Sequence, residues 1–177
     1  FKANDYEWKS QWQQAPSNRG GGLFKEHWWQ VHELTPVDGG GFRLNLPGPP
    51  DHVIACLDTA LSEKTEADFN ALVIFAIFTD PKTRHRRILL VDCWQKRLPL
   101  HGDEVERLPG ETEAAYIRRA KPSWGLVEWV AHSCKERRVL TLLIENKTRG
   151  HDVSKELRRV YADQNWGIRM VEPTTDK

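Results

Sequence analysis

Unbroken apolar runs that close on a polar residue mark the predicted strands of this chain. Residues 53–58 read Val-Ile-Ala-Cys-Leu-Asp, and residues 139–145 repeat the pattern and end at Glu145. Valine and isoleucine favour strands, and a continuous apolar run is typical of a strand that is covered on both faces. The same reasoning predicts three more strands, at residues 71–78, 87–94 and 168–171.

Apolar residues at helical spacing predict the helices between these strands. One helix opens at Pro122 and turns Leu126 inward. The other two are predicted at residues 111–119 and 152–163, and Asp152 would cap the last of them. Three strands joined by short links, followed by helix, strand, helix and strand, predict a mixed α/β sheet flanked by helices.

A stiff joint rich in proline and glycine, residues 47–50, divides the chain. Residues 1–46 are expected to form an appendage of short helices and glycine-rich loops, and residues 51–177 the α/β domain. The 177 residues suffice for one such domain and an appendage. Because the chain starts at Phe1 rather than at methionine, we expect it to be a fragment of a longer protein.

Composition narrows the possible functions. The net charge is +1, so any DNA-binding face must be local. Cys56, Cys93 and Cys134 lack the spacing of a metal site and are expected to be free thiols in a reducing compartment. No apolar run has the length of a membrane span, and no signal peptide is visible. The pattern G-x-x-x-x-G-K-[ST] is absent, so the chain contains no phosphate-binding loop of an ATPase.

Asp58 and Glu145 are the strongest candidates for chemistry, because each closes a buried type of strand. If the two strands are parallel neighbours, about 4.8 Å apart, both carboxylates face one point. Hard divalent ions such as Mg²⁺ and Mn²⁺ prefer carboxylate oxygens and water. Two such ions roughly 4 Å apart can neutralise a phosphoryl group and activate a water molecule. Each acid alone is better explained as a solvated strand-end charge, but an adjacent pair favours a metal site.

Other charged residues are secondary candidates. Asp68 precedes the second strand and either approaches the acidic pair as a further metal ligand or caps a turn. Asp92 lies inside a strand and is expected to be packed and hydrogen-bonded. Lys147 and Arg149 follow the second acid and either hold a phosphate of DNA or are solvated loop charges.

The turn between the second and third strands is strongly basic. Such a turn either protects a sheet edge from aggregation or, beside a nuclease site, contacts the DNA backbone. Its charged residues are Lys82, Arg84, His85, Arg86 and Arg87.

The order of elements resembles the mixed sheet of ribonuclease H-like nucleases, whose first and fourth strands are parallel neighbours that each end on an acid. Residues 58–64, Asp-Thr-Ala-Leu-Ser-Glu-Lys, and residues 67–71, Ala-Asp-Phe-Asn-Ala, resemble the first nuclease motif of tailed-phage terminase large subunits. Residues 142–147, Leu-Leu-Ile-Glu-Asn-Lys, resemble the second acidic motif of that family. Upstream, Trp-Gln-Gln-Ala-Pro at residues 12–16 and Gly-Leu-Phe at residues 22–24 resemble the end of its ATPase region.

The resemblance implies an endonuclease of a viral genome-packaging motor. In that family the ribonuclease H-like domain cuts concatemeric double-stranded DNA with two metal ions, Mg²⁺ or Mn²⁺. The expected partners are double-stranded DNA, the portal and the small terminase subunit, in the cytoplasm of the host cell. Carried over by position, Asp58 and Glu145 would be the catalytic metal ligands, and Asp68 stands where the family is often acidic. The family has a further catalytic aspartate on a late helix, which we expect to lie beyond Lys177.

Two other functions are compatible with the sequence. A Holliday-junction resolvase or a ribonuclease H would share the fold, but the Gln-Gln-x-Pro element argues against both because such enzymes have no preceding motor segment. The alternative is a non-catalytic module that grips DNA or docks the motor to the portal. Because the last acidic helix is expected to lie beyond this fragment, the non-catalytic module stays open as an interpretation of the fragment.

Overall fold

The chain divides into two compact units, Phe1–Asn45 and Leu46–Lys177, in a computed structural model. The structure describes residues 34–36, 42–45, 48–60 and 69–172. In the first unit, β1 (Leu34–Pro36) pairs with β2 (Phe42–Leu44) as a short antiparallel ribbon. The short helices expected in the appendage fall outside these described ranges.

The described part of the second unit contains five strands and three α-helices. The strands are β3 (His52–Asp58), β4 (Asn70–Thr79), β5 (Arg86–Lys96), β6 (Thr141–Glu145) and β7 (Gly167–Val171). The helices are α1 (Glu113–Ala120), α2 (Leu126–Glu136) and α3 (Thr148–Val160), with a 3-10 turn at Lys121–Ser123. None of the described helices is both long enough and apolar enough to cross a bilayer.

The five strands form one mixed sheet in the order β5-β4-β3-β6-β7. The first three in sequence make an antiparallel meander, whereas β6 runs parallel to β3 and β7 runs parallel to β6. Parallel neighbours need long crossovers, and the stretch with α1 and α2 forms the first crossover while α3 forms the second. The predicted mixed α/β fold, a five-stranded sheet flanked by helices, is therefore confirmed.

One face of the sheet is covered by α2 and α3. Leu72 and Ile74 of β4 and Leu142 and Ile144 of β6 are fully buried there. Burying a side chain of this size contributes roughly 1.5–3 kcal/mol, so this layer holds the domain together. The helices add the buried residues Leu126, Val127, Val130, Cys134, Val153 and Leu157 to the same cluster.

The opposite face of the sheet is only partly covered. Successive residues of a strand point to opposite faces, so the alternate residues of β3, such as Ile54, lie on this side and are half-buried. On the edge strand β5, Ile88 is 70% exposed and Leu90 is 42% exposed. This face is therefore accessible from solvent along the edge of the sheet.

The N-terminus of α2 is fixed by the segment that follows β5. The N–H of Leu126 donates to the carbonyl of Pro99 at 2.8 Å. The N–H of Val127 donates to the carbonyl of Leu100 at 3.1 Å. Amides in a first helical turn have no partner within the helix, so these contacts define where α2 begins. The predicted opening at Pro122 is wrong, because that residue lies in the preceding 3-10 turn.

The N-terminus of α3 also differs from the prediction. The helix begins at Thr148, with Lys147 in an extended N-cap conformation. Asp152 lies in the second turn and is exposed, so the prediction that it caps the helix is wrong. Glycine is a poor helix former, which made residues 146–150 resemble a loop. Gly150 is nevertheless buried in the first turn of the helix.

The three cysteines are free thiols, as predicted, and they lie in different environments. Cys134 of α2 is buried, and burial raises the pKa of its thiol to about 12. Cys56 of β3 is half-buried, and burial raises its pKa as well. Cys93 of β5 is exposed. The three thiols therefore report on the covered face, the open face and the edge of the sheet.

Thiol modification should follow these environments. Because the thiolate is the reactive form, we expect an alkylating reagent to modify Cys93 first, Cys56 more slowly and Cys134 only after unfolding. Mass spectrometry of quenched samples, with and without denaturant, measures the three rates. Modification of Cys134 in the native protein as fast as that of Cys93 would contradict the burial of the helical face.

Candidate functional site

Two carboxylates lie side by side where the central strands of the sheet end. β3 and β6 are parallel neighbours, and their register aligns Leu57 with Ile144. Asp58 and Glu145 follow one residue further along each strand. Neighbouring strands are about 4.8 Å apart, so the two carboxylates share one location. The predicted parallel pairing of these strands is confirmed.

Both carboxylates emerge on the open face of the sheet. Leu57 and Ile144 are buried in the helix-covered core, and the next residue of a strand points the other way. Asp58 is exposed, and the side chain of Glu145 is 26% exposed. A ligand can therefore reach both acids from solvent.

Lys147 lies against this acidic pair. Its Nζ is 2.6 Å from Oε2 of Glu145. The hydrogen bond with Glu145 raises the pKa of Lys147, and the charges of Glu145 and Asp58 raise it further. The lysine is therefore an ammonium that offsets part of the negative charge. The sequence singled out Lys147 as a phosphate contact but gave no sign of its bond to Glu145.

The end of β6 is held by β7 and by a tight turn. The N–H of Asn146 donates to the carbonyl of Val171 at 2.8 Å. The side-chain Nδ2 of Asn146 donates to Oε1 of Glu172. The N–H of Lys147 donates to the carbonyl of Glu145 at 2.8 Å and turns the chain toward α3. These contacts fix the position of Glu145 at the end of β6.

Gly150 lets α3 pack directly on the end of β6. A Cβ atom at this position would overlap the carbonyl oxygen of Glu145, and it would lie 3.1 Å from the side chain of Ile144. Glycine is therefore required for this close approach of helix and strand. Sequence reasoning missed this role, because a glycine shortly after a strand more often marks a loop.

Asn70, the first residue of β4, fixes the end of β3. It is 1% exposed. Its Oδ1 accepts a hydrogen bond from the N–H of Ala60 at 3.1 Å. Its Nδ2 donates to the carbonyls of Lys96 and Leu98 at 3.4 and 3.5 Å. The chain just beyond Asp58 is thereby tied to the end of β5, a contact that sequence reasoning also missed.

Arg149, predicted as a phosphate contact, is half-buried and binds within the domain. Its Nη2 donates to the carbonyl of Leu98 at 3.4 Å, which ties α3 to the segment after β5. Its role toward phosphate stays a prediction. Beside it, a shallow polar pocket adjoins the acidic pair and is lined by Asn146, Lys147, Thr148, His151 and Asp152.

The structure describes one of the two remaining candidate acids, Asp92, but not the other, Asp68. Asp92 is hydrogen-bonded as predicted, since its Oδ2 accepts from Nε of Arg137 at 2.9 Å, but its side chain is 31% exposed rather than packed. Asp68 lies outside the residues that the structure describes, so its approach to the acidic pair stays a prediction.

The basic turn lies at the other end of the sheet. β4 is antiparallel to β3, so Asp58 faces Ala71 and His52 faces Ile77. The turn follows Thr79, at the far end of β4, roughly 27 Å from the acidic pair at about 3.4 Å per residue. The expectation that the turn lies beside the candidate site is therefore wrong. Contact of this turn with the DNA backbone stays a prediction.

Asp80 holds the backbone of the basic turn in place. Its carboxylate accepts hydrogen bonds from the N–H groups of Lys82 and Thr83 at 2.9 and 3.2 Å. These two hydrogen bonds lower the pKa of Asp80, and the charge of Arg87, 3.1 Å away, lowers it further. The basic side chains are exposed around this fixed turn and are those of Lys82, Arg84, His85, Arg86 and Arg87.

The donor set at the acidic edge suits a hard divalent ion. Mg²⁺ is usually bound through one or two carboxylates and keeps several waters, which Asp58 and Glu145 can provide. Within the described ranges, no group of three or more His, Cys, Asp or Glu side chains converges on one point. The described donors therefore fit one ion held by two carboxylates and water, and Lys147 occupies one oxygen of Glu145 in this structure.

A second concavity, of about 440 Å³, lies among the helices and differs in character. Its walls mix aromatic and charged side chains, and the rings of Trp124 and His132 are in contact with centroids 4.9 Å apart. Burial lowers the pKa of His132, so this imidazole is neutral near pH 7. The concavity is thus a groove of mixed aromatic and polar character among the helices, whereas the paired carboxylates lie at the ends of β3 and β6.

Comparison with family models, with curated proteins and with solved structures found no match to this chain. What the protein does is therefore inferred from the acidic pair and from the sequence motifs around it.

Substitution of Gly150 should disturb the acidic edge. Gly150→Ala forces a Cβ atom onto the carbonyl of Glu145, so we expect a loss of about 1–3 kcal/mol in the free energy of unfolding. Chemical denaturation measures this loss. Gly48→Ala is the matched control, because nothing lies within 4 Å of its added Cβ, and it should change stability by less than about 0.5 kcal/mol. Equal stability of the two variants would contradict the close packing of α3 on β6.

Proposed function

We propose that this chain is a metal-dependent DNA endonuclease, the nuclease domain of a terminase large subunit that cuts concatemeric double-stranded DNA during viral genome packaging. The observation that carries the proposal is the pairing of Asp58 and Glu145 at the ends of neighbouring parallel strands. In open α/β sheets, ligands bind outside the carboxyl ends of such strands. Both carboxylates are accessible there on the open face of the sheet.

The order of the strands supports a ribonuclease H-like fold for this domain. An antiparallel meander followed by two helix–strand units, with the sheet order β5-β4-β3-β6-β7, is compatible with that fold. Of the two motifs that resemble terminase nuclease motifs, the first begins at Asp58, the last residue of β3, and the second covers the end of β6. Sequence resemblance and strand position therefore agree on the same two acids.

Hydrolysis of a phosphodiester needs neutralisation of the transferring phosphoryl group and a deprotonated water. A divalent ion, Mg²⁺ or Mn²⁺, supplies both effects when it is bound, and the family resemblance implies two such ions. In this chain, Asp58 and Glu145 would hold the ion, and the open face admits a DNA phosphate. Asn70 ties down the chain just beyond Asp58, and Gly150 lets α3 pack against the carbonyl of Glu145.

The resemblance also supports a place in a packaging motor. Residues 1–46 would then belong to the end of an ATPase region, and the portal and the small terminase subunit would be partners in the host cytoplasm. The basic turn lies too far from the acids to contact the cleaved phosphate. At about 3.4 Å per nucleotide along a strand, it would contact the DNA backbone about eight base pairs away.

A second candidate is a non-catalytic module that grips DNA or docks the motor to the portal. The bond between Lys147 and Glu145 favours it, because a carboxylate that is already paired with an ammonium is a weaker ligand for a metal ion. The two candidates differ in whether bound DNA is cut.

Cleavage of supercoiled plasmid in the presence of Mn²⁺ tests the enzyme directly. We expect the chain to nick plasmid and Asp58→Asn to lose the activity while it keeps the fold, because this exposed carboxylate lies outside the core. Gel electrophoresis measures nicking, and circular dichroism measures folding. Glu104→Gln removes an exposed carboxylate elsewhere and should cut at the wild-type rate. Binding of plasmid without nicking would support the non-catalytic module. Full activity of Asp58→Asn would exclude Asp58 as a metal ligand.

Binding of metal should also raise thermal stability. An ion that binds only the folded state adds about 2.7 kcal/mol at a concentration 100-fold above its Kd. Mn²⁺ should have a larger effect than Mg²⁺, which demands near-ideal octahedral geometry. Differential scanning calorimetry should show a shift in Tm that is absent in Glu145→Gln and present in Asp163→Asn, an exposed acid beyond α3. Equal shifts in all three proteins would indicate nonspecific ion binding.

A further inference from the structure

The backbone places Lys147 over the acidic pair. Its N–H donates to the carbonyl of Glu145, so the chain folds back immediately after β6. Lys147 then occupies the N-cap position of α3, with extended backbone angles. Its Nζ reaches Oε2 of Glu145 at 2.6 Å. The turn between β6 and α3 therefore holds the backbone of Lys147 beside the acidic pair, and its flexible side chain reaches Glu145 from there.

Like charges make the acidic pair unfavourable without a counter-ion. Two carboxylates that share a site repel each other, and the ammonium of Lys147 relieves this repulsion through its bond to Glu145 and its attraction to Asp58. A divalent ion held by Asp58 and Glu145 would relieve it in the same way and would draw on the carboxylate that Lys147 occupies. Lys147 and a metal ion are therefore competitors for Glu145.

Two neighbouring polar side chains already have partners within the domain, so we assign the counter-ion role to Lys147. The amide of Asn146 is bonded to Glu172, and the guanidinium of Arg149 donates to Leu98. The side chain of Lys147 is 37% exposed, so it has room to swing outward toward solvent on the open face. There, a phosphate of bound DNA is the natural new partner for its ammonium.

We propose that Lys147 is a displaceable counter-ion that couples metal binding to DNA binding. It stabilises the acidic pair in the absence of metal, leaves Glu145 when a divalent ion binds, and then pairs with a phosphate of the DNA. The proposal rests on the metal site proposed above. Coupling of this kind is reciprocal, so DNA strengthens metal binding by as much as metal strengthens DNA binding. The domain then holds metal weakly until DNA is present.

The affinity for Mn²⁺, measured by the electron paramagnetic resonance signal of the free ion, tests this coupling without reference to cleavage. Removal of the competing ammonium in Lys147→Met should tighten Mn²⁺ binding by about two- to fivefold in the absence of DNA, the range expected for an exposed ion pair. A phosphorothioate duplex that resists cleavage should tighten Mn²⁺ binding to the wild type by about fivefold or more. This enhancement should be largely lost in Lys147→Met.

Three further variants complete the design. Lys155→Met removes an exposed lysine from the same helix, so it controls for net charge and should match the wild type. Lys147→Arg keeps the positive charge and should retain the enhancement by DNA. If Lys147→Met binds Mn²⁺ no more tightly than the wild type while Glu145→Gln loses binding, the counter-ion role is overturned and the metal site stands. If Glu145→Gln binds Mn²⁺ as tightly as the wild type, the metal site and the counter-ion role both fall.

Discussion

Parallel hydrogen bonding between β3 and β6 is the constraint on which the rest of this domain depends. Parallel neighbours cannot be joined by a hairpin, so the chain leaves the sheet after β5 and returns through α1 and α2. The apolar side of α2 must then cover the sheet, and the segment after β5 caps its first turn. The same pairing brings the ends of the two strands together, and each end carries an acid. The core and the candidate site are thus two results of one strand pairing.

Much of the fold could be predicted because buried strands leave a strong pattern. Apolar runs that end on Asp58 and Glu145 marked the two central strands and made their ends the obvious place for chemistry. The start of α3 could not be predicted, because Gly150 serves a packing contact that is visible only in three dimensions. The location of the basic turn could have been deduced. β3 ends and β4 begins beside the acidic pair, so the turn that follows β4 must lie at the opposite end of the sheet. Asn70 left no signal, since a single polar residue before a strand has no periodic pattern.

The candidate site concentrates charge that a structure selected for stability alone would avoid. Two carboxylates at one location repel each other, and residues devoted to function often reduce stability in this way. The domain offsets the cost locally, with an ammonium from the adjoining turn, and mechanically, with hydrogen bonds that tie each strand end to a neighbouring strand. The repulsion between the two carboxylates therefore lies at the accessible ends of β3 and β6, and the helix-covered core remains almost wholly apolar.

The packing of Gly150 on Glu145 has a consequence for how this sequence can evolve. One residue more or fewer in the turn between β6 and α3 would move the glycine off the carbonyl and put a bulkier side chain in its place. The same change would turn Lys147 away from the acids. The irregular stretch at residues 103–111 differs, because its main anchors are the bonds of Arg107 and Arg119 to Glu111, and a longer loop can preserve them since loop-closure entropy changes slowly with length. A change in chain length is therefore expected to cost more in the turn after β6 than in the long loop.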